Sequence, residues 1–318
     1  MIPAGADPWA LAGTTPPAEA GPRDRIALAL HTALTAPSYG NLQPWRWFVG
    51  GELIELYRDP ARADPVYDPD DHAATLACGA ALGALRVALR ALGLAETTAL
   101  LPGDHPDLLA RVAVGGPAQA EPEEQWLYQA APKRRTWRGV MAARAVSRSL
   151  LRRLPKMAEE TGAEIHVVED MARKTALAGA VEAALAAEPS AVQAARAAVG
   201  EALATFEDEA GAAARGPAIA GGAPALVVVA AEGDGPADRL CAGQALIRAL
   251  LRARVDHAWA SFLHAPLRDA AGRRDLARLV QSAGHAHALV RLGLGADTPA
   301  TPRRPLAEVL LASRPTRP

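Results

Sequence analysis

The run Ala36-Pro37-Ser38-Tyr39-Gly40-Asn41-Leu42-Gln43-Pro44-Trp45 packs turn formers and polar side chains between a helical pattern (Arg25 to Leu34) and a strand pattern (Arg46 to Val49). Pro37, Gly40 and Pro44 fix a turn. Ser38, Asn41 and Gln43 then offer donors and acceptors from a shaped loop. Such a loop suits the edge of a flat heteroaromatic ring, with apolar contact on the ring face. Its plainer alternative is an ordinary capped loop. A second run, Lys133-Arg134-Arg135-Thr136-Trp137-Arg138-Gly139, gathers guanidinium groups and a hydroxyl within a few residues. Arginine forks match phosphate oxygens bidentately. A solvated basic patch is the alternative. A third run, Thr301-Pro302-Arg303-Arg304-Pro305, stiffens two further arginines with prolines.

The elements that must hold these runs echo one another. Leu109-Ala110-Arg111-Val112-Ala113-Val114-Gly115 and Leu289-Val290-Arg291-Leu292-Gly293-Leu294-Gly295 both read as short strands ending in Gly, with Arg at the same place. Gly79-Ala80-Ala81-Leu82 opens one helical pattern and Gly243-Gln244-Ala245-Leu246 another. Strand candidates at Leu53 to Tyr57 and Leu226 to Val229 precede them. The expectation is a duplicated chain. Eight residues after Gly115 stands Glu123; eight after Gly295 stands Arg303. A phosphate site is therefore expected to survive in the second half alone. Met171 to Arg215 is Ala-rich, helical in pattern and broken near Pro189. It reads as an inserted pair of surface helices, with a cover over a pocket as the functional alternative.

Composition narrows the class. The 318 residues carry 34 basic and 35 acidic groups, a net charge of −1, which disfavours nucleic acid and anionic membrane as general partners. Only Lys133, Lys156 and Lys174 are lysines. An arginine therefore carries weight here only inside a motif. Two cysteines, Cys78 and Cys241, make neither a disulfide framework nor a four-ligand metal site. They read as small buried apolar residues. The first twenty residues lack the basic start and apolar core of a secretory signal. A cytoplasmic protein is expected. His257, His264, His285 and His287 are available, but none is assigned as a general base.

Taken in order, the three runs resemble the nitroreductase family of flavin proteins, and within it the long, duplicated Acg-type FMN-binding members. Pro37-Ser38-Tyr39-Gly40-Asn41-Leu42-Gln43-Pro44-Trp45 matches the pattern P-S-x-x-N-x-Q-P-W. Arg134-Arg135-Thr136-Trp137-Arg138 matches R-R-[ST]-x-R, and Arg303 in Pro302-Arg303-Arg304-Pro305 matches the C-terminal basic motif. Ala260 to Pro266 looks like the segment beside the flavin ring. Two departures stand out: Trp137 where Asn is frequent, and His264-Ala265 where Asn-Gln is usual.

The resemblance implies an α+β fold, duplicated in one chain as an intramolecular pseudo-dimer of antiparallel-rich sheets flanked by helices. Its parts are an extension (1–22), a first half (23–125) and a second half (126–318). One FMN would lie between the halves, since the first keeps the ring loop and the second the basic motifs. Pro37, Ser38, Tyr39, Asn41, Gln43 and Ser261 would meet the ring or ribityl chain. Arg134, Thr136, Arg138 and Arg303 would hold the phosphate, with Arg135 and Arg304 beside them. The implied activity is hydride transfer through flavin N5 from NAD(P)H to a small organic acceptor, by a monomer or weak homodimer. The alternative is an FMN-holding protein without nicotinamide-dependent turnover.

Overall fold

The computed structural model describes residues 5–103, 105–203 and 223–316. Two four-stranded antiparallel sheets form the frame, an α+β arrangement. The first contains β1 (Trp45–Gly50), β2 (Leu53–Arg58), β3 (Leu94–Leu100) and β4 (Leu108–Pro117), in the order β1-β2-β4-β3. The second contains β5 (Glu164–Val168), β6 (Ala225–Ala231), β7 (Trp259–Phe262) and β8 (His285–Gly293), in the order β5-β6-β8-β7. Strand for strand, the two orders are the same. Both sheets carry a register irregularity late in their second strand, at Leu56/Tyr57 and at Val229/Ala230.

A long helix joins the second and third strands of each sheet: α3 (His72–Ala91), and the helix we label α8 (Pro236–Val255). Residues Leu76 to Leu85 of α3 are apolar or small and buried, so this helix has no wet face along its middle. Its core position is what α8 requires, because the two helices pack closely. A Cβ on Gly79 would sit 2.6 Å from the Leu240 carbonyl oxygen, and one on Gly243 would collide with the Leu76 carbonyl. The glycines matched in the sequence, Gly79 and Gly243, are thus contact points of the two long helices. Gly93 (φ +75°) ends α3 in the left-handed conformation that favours glycine. At the matching end of α8, His257 takes the same conformation at φ +59°.

The halves differ in what their connections carry. Gly51 (φ +66°) closes a tight β1–β2 hairpin. Between β5 and β6 the chain instead builds α6 (Met171–Ala186) and α7 (Ser190–Leu203). β3 and β4 are joined by a loop, β7 and β8 by α9 (Ala270–Leu279). Before the sheets lie α1 (Pro8–Leu11) and α2 (Pro22–Ala33); α4 (Pro122–Ala130) and α5 (Arg148–Arg153) lead into the second, and α10 (Leu306–Val309) follows it.

The chain also crosses back on itself. Thr136 bridges Ala260 beside β7, and Leu310 bridges Trp47 at the edge of β1. The Leu311 N–H donates to the Trp47 carbonyl at 2.7 Å. Each basic run is thereby laid along a sheet. Among the described residues one helix, α3, is long and apolar enough to cross a membrane, and 83% of that window is buried inside the protein.

Candidate functional site

The loop after α2 is bent three times into the left-handed region, at Gly40 (φ +54°), Asn41 (φ +56°) and Gln43 (φ +52°). Side chains hold it there. Ser38 Oγ accepts from the Gln43 N–H at 2.9 Å. Asn41 Nδ2 donates to the Pro302 carbonyl at 2.9 Å, and Asn41 Oδ1 accepts from Arg303 Nη1 at 2.7 Å. Gln43 Oε1 accepts from the Arg304 N–H at 2.9 Å. Two motifs separated by some 260 residues are stitched into one wall.

That wall borders a cavity of about 790 Å³, inside the range of roughly 300–1,000 Å³ typical of cofactor sites. Pro37, Ser38, Tyr39, Asn41, Thr136, Arg138, Ser261 and Arg303 all line it. Leu76, Ala77 and Ala80 of α3 and Leu246 of α8 add apolar surface, so both halves contribute. One side is aromatic. Tyr39 stacks on Tyr67 at 3.8 Å and meets His264 edge-on at 5.6 Å, while His264 stacks on Phe262 at 5.3 Å. Burial pulls the His264 imidazole down to about 4, so it is neutral at pH 7.

The other side is cationic. Arg303 Nη2 donates to the Thr35 and Ala36 carbonyls at 3.3 and 3.2 Å; Arg134 Nη2 also donates to Thr35 O, at 2.9 Å. Arg135 donates to the Pro132 and Arg134 carbonyls. Among the described residues no carboxylate forms an ion pair with Arg134, Arg135 or Arg303, and Arg134 Nε and Arg303 Nε are buried with no partner. Burial, with repulsion from Arg135 and Arg138, lowers Arg134 to about 9. Burial and the neighbouring Arg134, Arg135 and Arg138 lower Arg303 well below the usual arginine range. Asp7 acts on Arg135 and Arg303 only at longer range, and buried guanidinium groups this close together favour an anion in their midst. Orphaned guanidinium N–H groups beside an apolar and aromatic cavity fit a phosphorylated flavin. Among the described residues no group of three or more His, Cys, Asp or Glu could hold a metal.

Four candidates from the sequence do not line the cavity. Gln43 is buried and tethers Arg304, whose side chain turns to Asp59 (3.5 Å) and Glu308 (3.7 Å). Arg134 and Arg135 support the wall from behind. The inserted helices also behave otherwise than expected. Val181 and Leu185 of α6 and Ser190, Gln193, Arg196 and Val199 of α7 line the cavity, so α6 and α7 form its cover and not merely a surface addition. The remainder of that insert, 204–215, lies outside the described residues. Cys78 is buried with its thiol pushed up by desolvation, as a packed small residue should be.

The two departures also find places. Trp137 is buried on Gly295 and beside Trp259, a core residue. His264 is part of the aromatic wall. Sequence reasoning missed Arg291. It is 3% exposed, lies opposite Ser261 in the β7–β8 register and lines the cavity. Its Nη2 donates to the Gly139 carbonyl at 3.0 Å, and its Nε has no partner. In the first sheet, Arg111 faces Glu55 across the strands and bonds it at 2.9 Å; Arg291 faces Leu226 instead. The matched arginines of the repeat held this signal, in the acid that one half has and the other lacks.

Known proteins bear on this arrangement. No family model matches the chain. Over 85 residues it is 35% identical to acg of Mycobacterium tuberculosis, named as a candidate NAD(P)H nitroreductase, covering 27% of this chain and 26% of that protein. Over 114 residues it is 34% identical to Rv3131 of the same species, similarly named, covering 36% and 33%. The resemblance to the nitroreductases stands. The nitroreductase match thus spans only about a quarter to a third of the length of these relatives. Among solved structures, an FMN and NADPH-dependent nitroreductase NfnB from Sphigopyxis sp. strain HMH aligns with TM-score 0.46 and 19% identity, over 59% of this chain and 99% of that one. A nitroreductase with bound FMN from Desulfitobacterium hafniense DCB-2 aligns with TM-score 0.41 and 18% identity, over 56% and 94%. At these values the likeness says nothing about ligand or activity here.

Proposed function

We propose that this chain is a duplicated nitroreductase-like unit, with an extension (1–22) and halves at 23–125 and 126–318, that holds one FMN in the cavity between its halves. On this reading it is a cytoplasmic, FMN-dependent oxidoreductase, a monomer or weak homodimer, passing hydride from NAD(P)H to a small organic acceptor. The observation that carries it is the cavity: the Pro37 to Asn41 loop of one half is bonded to Arg303 of the other, whose buried Nε has no partner.

Matching strand orders and the Gly79–Gly243 contact support the duplication. The place that would mirror the cavity supports a single site. Ser261 faces Arg291 across β7 and β8; at the matching register Ala99 faces Arg111, which pairs with Glu55 at 2.9 Å, and Glu96 of the same strand has a side chain 1% exposed. Glu96 pairs with Arg86 at 3.0 Å and Arg90 at 2.8 Å. Arg86 also donates to Gln244 at 2.6 Å, one residue past Gly243; the residue past Gly79 is Ala80, which faces the cavity. Glu124 pairs with Arg248 at 2.7 Å. Ion pairs occupy the ground where a second ligand would sit.

FMN supplies two-electron chemistry to an enzyme that binds it, and the protein supplies orientation and electrostatics. Thr136, Arg138 and Arg303 would hold the phosphate, with Arg134 and Arg135 fixing the segment that carries them. Pro37, Ser38, Tyr39, Asn41 and Ser261 would flank the ring system. Arg291 would add a buried positive charge beside Ser261. The cover favours a second reading, in which FMN is held without nicotinamide-dependent turnover. Anaerobic stopped-flow mixing of the FMN-loaded protein with NADH and NADPH decides between them. Bleaching of the flavin absorbance supports the oxidoreductase; no bleaching by either supports the holding protein. A colourless protein that takes up no added FMN defeats both.

A further inference from the structure

Trp9 lies in the short helix α1, in a segment whose sequence carries no chemical motif. Its indole is 8% exposed and is surrounded by arginines from both basic runs. The Arg135 guanidinium carbon lies 4.1 Å from the ring centroid, that of Arg303 4.7 Å and that of Arg134 5.7 Å. The indole Nε1 donates to the Thr301 carbonyl at 2.8 Å, two residues before Arg303. Asp7 Oδ1 accepts from the Trp9 N–H at 3.1 Å and fixes the start of the helix. The segment is pinned further on: Gly13 (φ +69°) packs on Pro132, and the Tyr128 hydroxyl donates to the Thr14 carbonyl at 2.8 Å.

We infer that Trp9 is the positioning residue of the anion subsite, gathering Arg135 and Arg303 from two distant motifs around one indole ring. The inference rests on the phosphate-binding reading above. Like charges brought together repel; Asp7 offsets this only at longer range for Arg135 and Arg303, and no described carboxylate forms an ion pair with Arg134, Arg135 or Arg303. The negative face of an indole attracts guanidinium groups without neutralising them. A carboxylate at this place would satisfy the arginines and compete with the phosphate. An aromatic ring lowers the cost of assembling them and leaves the unpartnered Nε of Arg303, at the cavity wall, for the ligand. The occupant is thus a phosphomonoester, and the indole acts on that end of it alone.

The test compares FMN with riboflavin, which has the same ring and ribityl chain without the phosphate. Binding is read by quenching of flavin fluorescence in the full chain. Trp9→Leu, which keeps apolar volume, should weaken FMN about tenfold by loss of the cation–π contacts, and leave riboflavin unchanged. Trp9→Phe keeps a π face and should recover most of the loss. Unchanged FMN affinity in Trp9→Leu overturns the inference. Equal weakening of FMN and riboflavin overturns it as well, because a merely structural role would move both. If Trp9→Leu does not fold, Trp9→Phe decides: FMN affinity lost as completely as in an Arg303→Ala variant would overturn it. A wild-type chain that binds FMN no more tightly than riboflavin defeats the phosphate reading itself, before any variant is made.

Discussion

Asn41 and Arg303 are 262 positions apart in the chain and joined by a hydrogen bond of 2.7 Å between Oδ1 and Nη1. One belongs to the turn after α2 and the other to the strap after β8, so the bond closes the cavity wall across both halves. The same guanidinium is aimed by Thr301 Oγ1 at 2.6 Å.

Arg303→Ala should weaken FMN binding by about 10- to 100-fold, the worth of one or two charge-assisted hydrogen bonds. Asn41→Ala should cost about tenfold, by releasing the same guanidinium from its orientation. Arg304→Ala, which does not reach the cavity, should change FMN affinity by less than about threefold. Isothermal titration of apo-protein with FMN checks the order; an Arg304 effect as large as that of Arg303 would contradict the geometry.

Glu96 concerns stability rather than binding. Burial opposes its ionisation, yet Arg86 and Arg90 outweigh that and hold the carboxyl below its ordinary value. Glu96→Gln should destabilise by about 2–3 kcal/mol, the low end for breaking a buried pair because both arginines keep some solvent. Urea denaturation measures it, and flavin stoichiometry should stay at one per chain.

Acid should begin to loosen the fold above the range in which ordinary carboxylates protonate. Burial lowers both His264 and His287 to about 4, against an ordinary value near 6.5. Below pH 6.5 the unfolded chain binds protons that the folded chain refuses until about pH 4. Stability from these two groups is complete above pH 6.5 and drains away as pH falls toward 4. The melting temperature should drop by about 5 °C or more between pH 7 and pH 5. His264→Phe should flatten that slope, and an unchanged slope would show that the imidazole is solvated.

The cover has a fastener. Glu188, between α6 and α7, accepts from Arg196 Nε at 2.9 Å, and its carbonyl accepts from Gln193 Nε2 at 2.8 Å. Glu188→Ala should raise the FMN release rate by about three- to tenfold. Iodide quenching of bound-flavin fluorescence should rise in parallel. A slower or unchanged release would place the cover's stability elsewhere.

Local patterning revealed most of the frame. Strands over 46–49, 53–57 and 226–229 and the helix over 25–34 fall on observed elements, because short apolar runs, buried on both faces in β6, are readable within a few residues of chain. Pro37 to Asn41, Thr136, Arg138 and Arg303, singled out by residue type, and Ser261, singled out by resemblance, line one cavity. Arg134 and Arg135 share a motif with Arg138, but residue type alone does not say which guanidinium faces the ligand and which carries the wall. Alanine is as fitting in a surface helix as in a cover, so α6 and α7 gave no chemical sign of their place. Trp9 was hidden for a different reason. A cation–π contact across nearly 300 residues leaves no spacing to read.

The crossing of α3 and α8 has a consequence for the ligand. Pro37 to Asn41, Ser261 and Arg291 line the same cavity as Leu76, Ala77 and Ala80 of α3 and Leu246 of α8. Backbone touches backbone at Gly79 and Gly243, with no side chain between. The width of the cavity is therefore set by the thickness of two main chains. A single methyl group at either glycine would push the helices apart beside Ala77 and Ala80, which line the cavity, so a change that touches no ligand atom would still widen the slot.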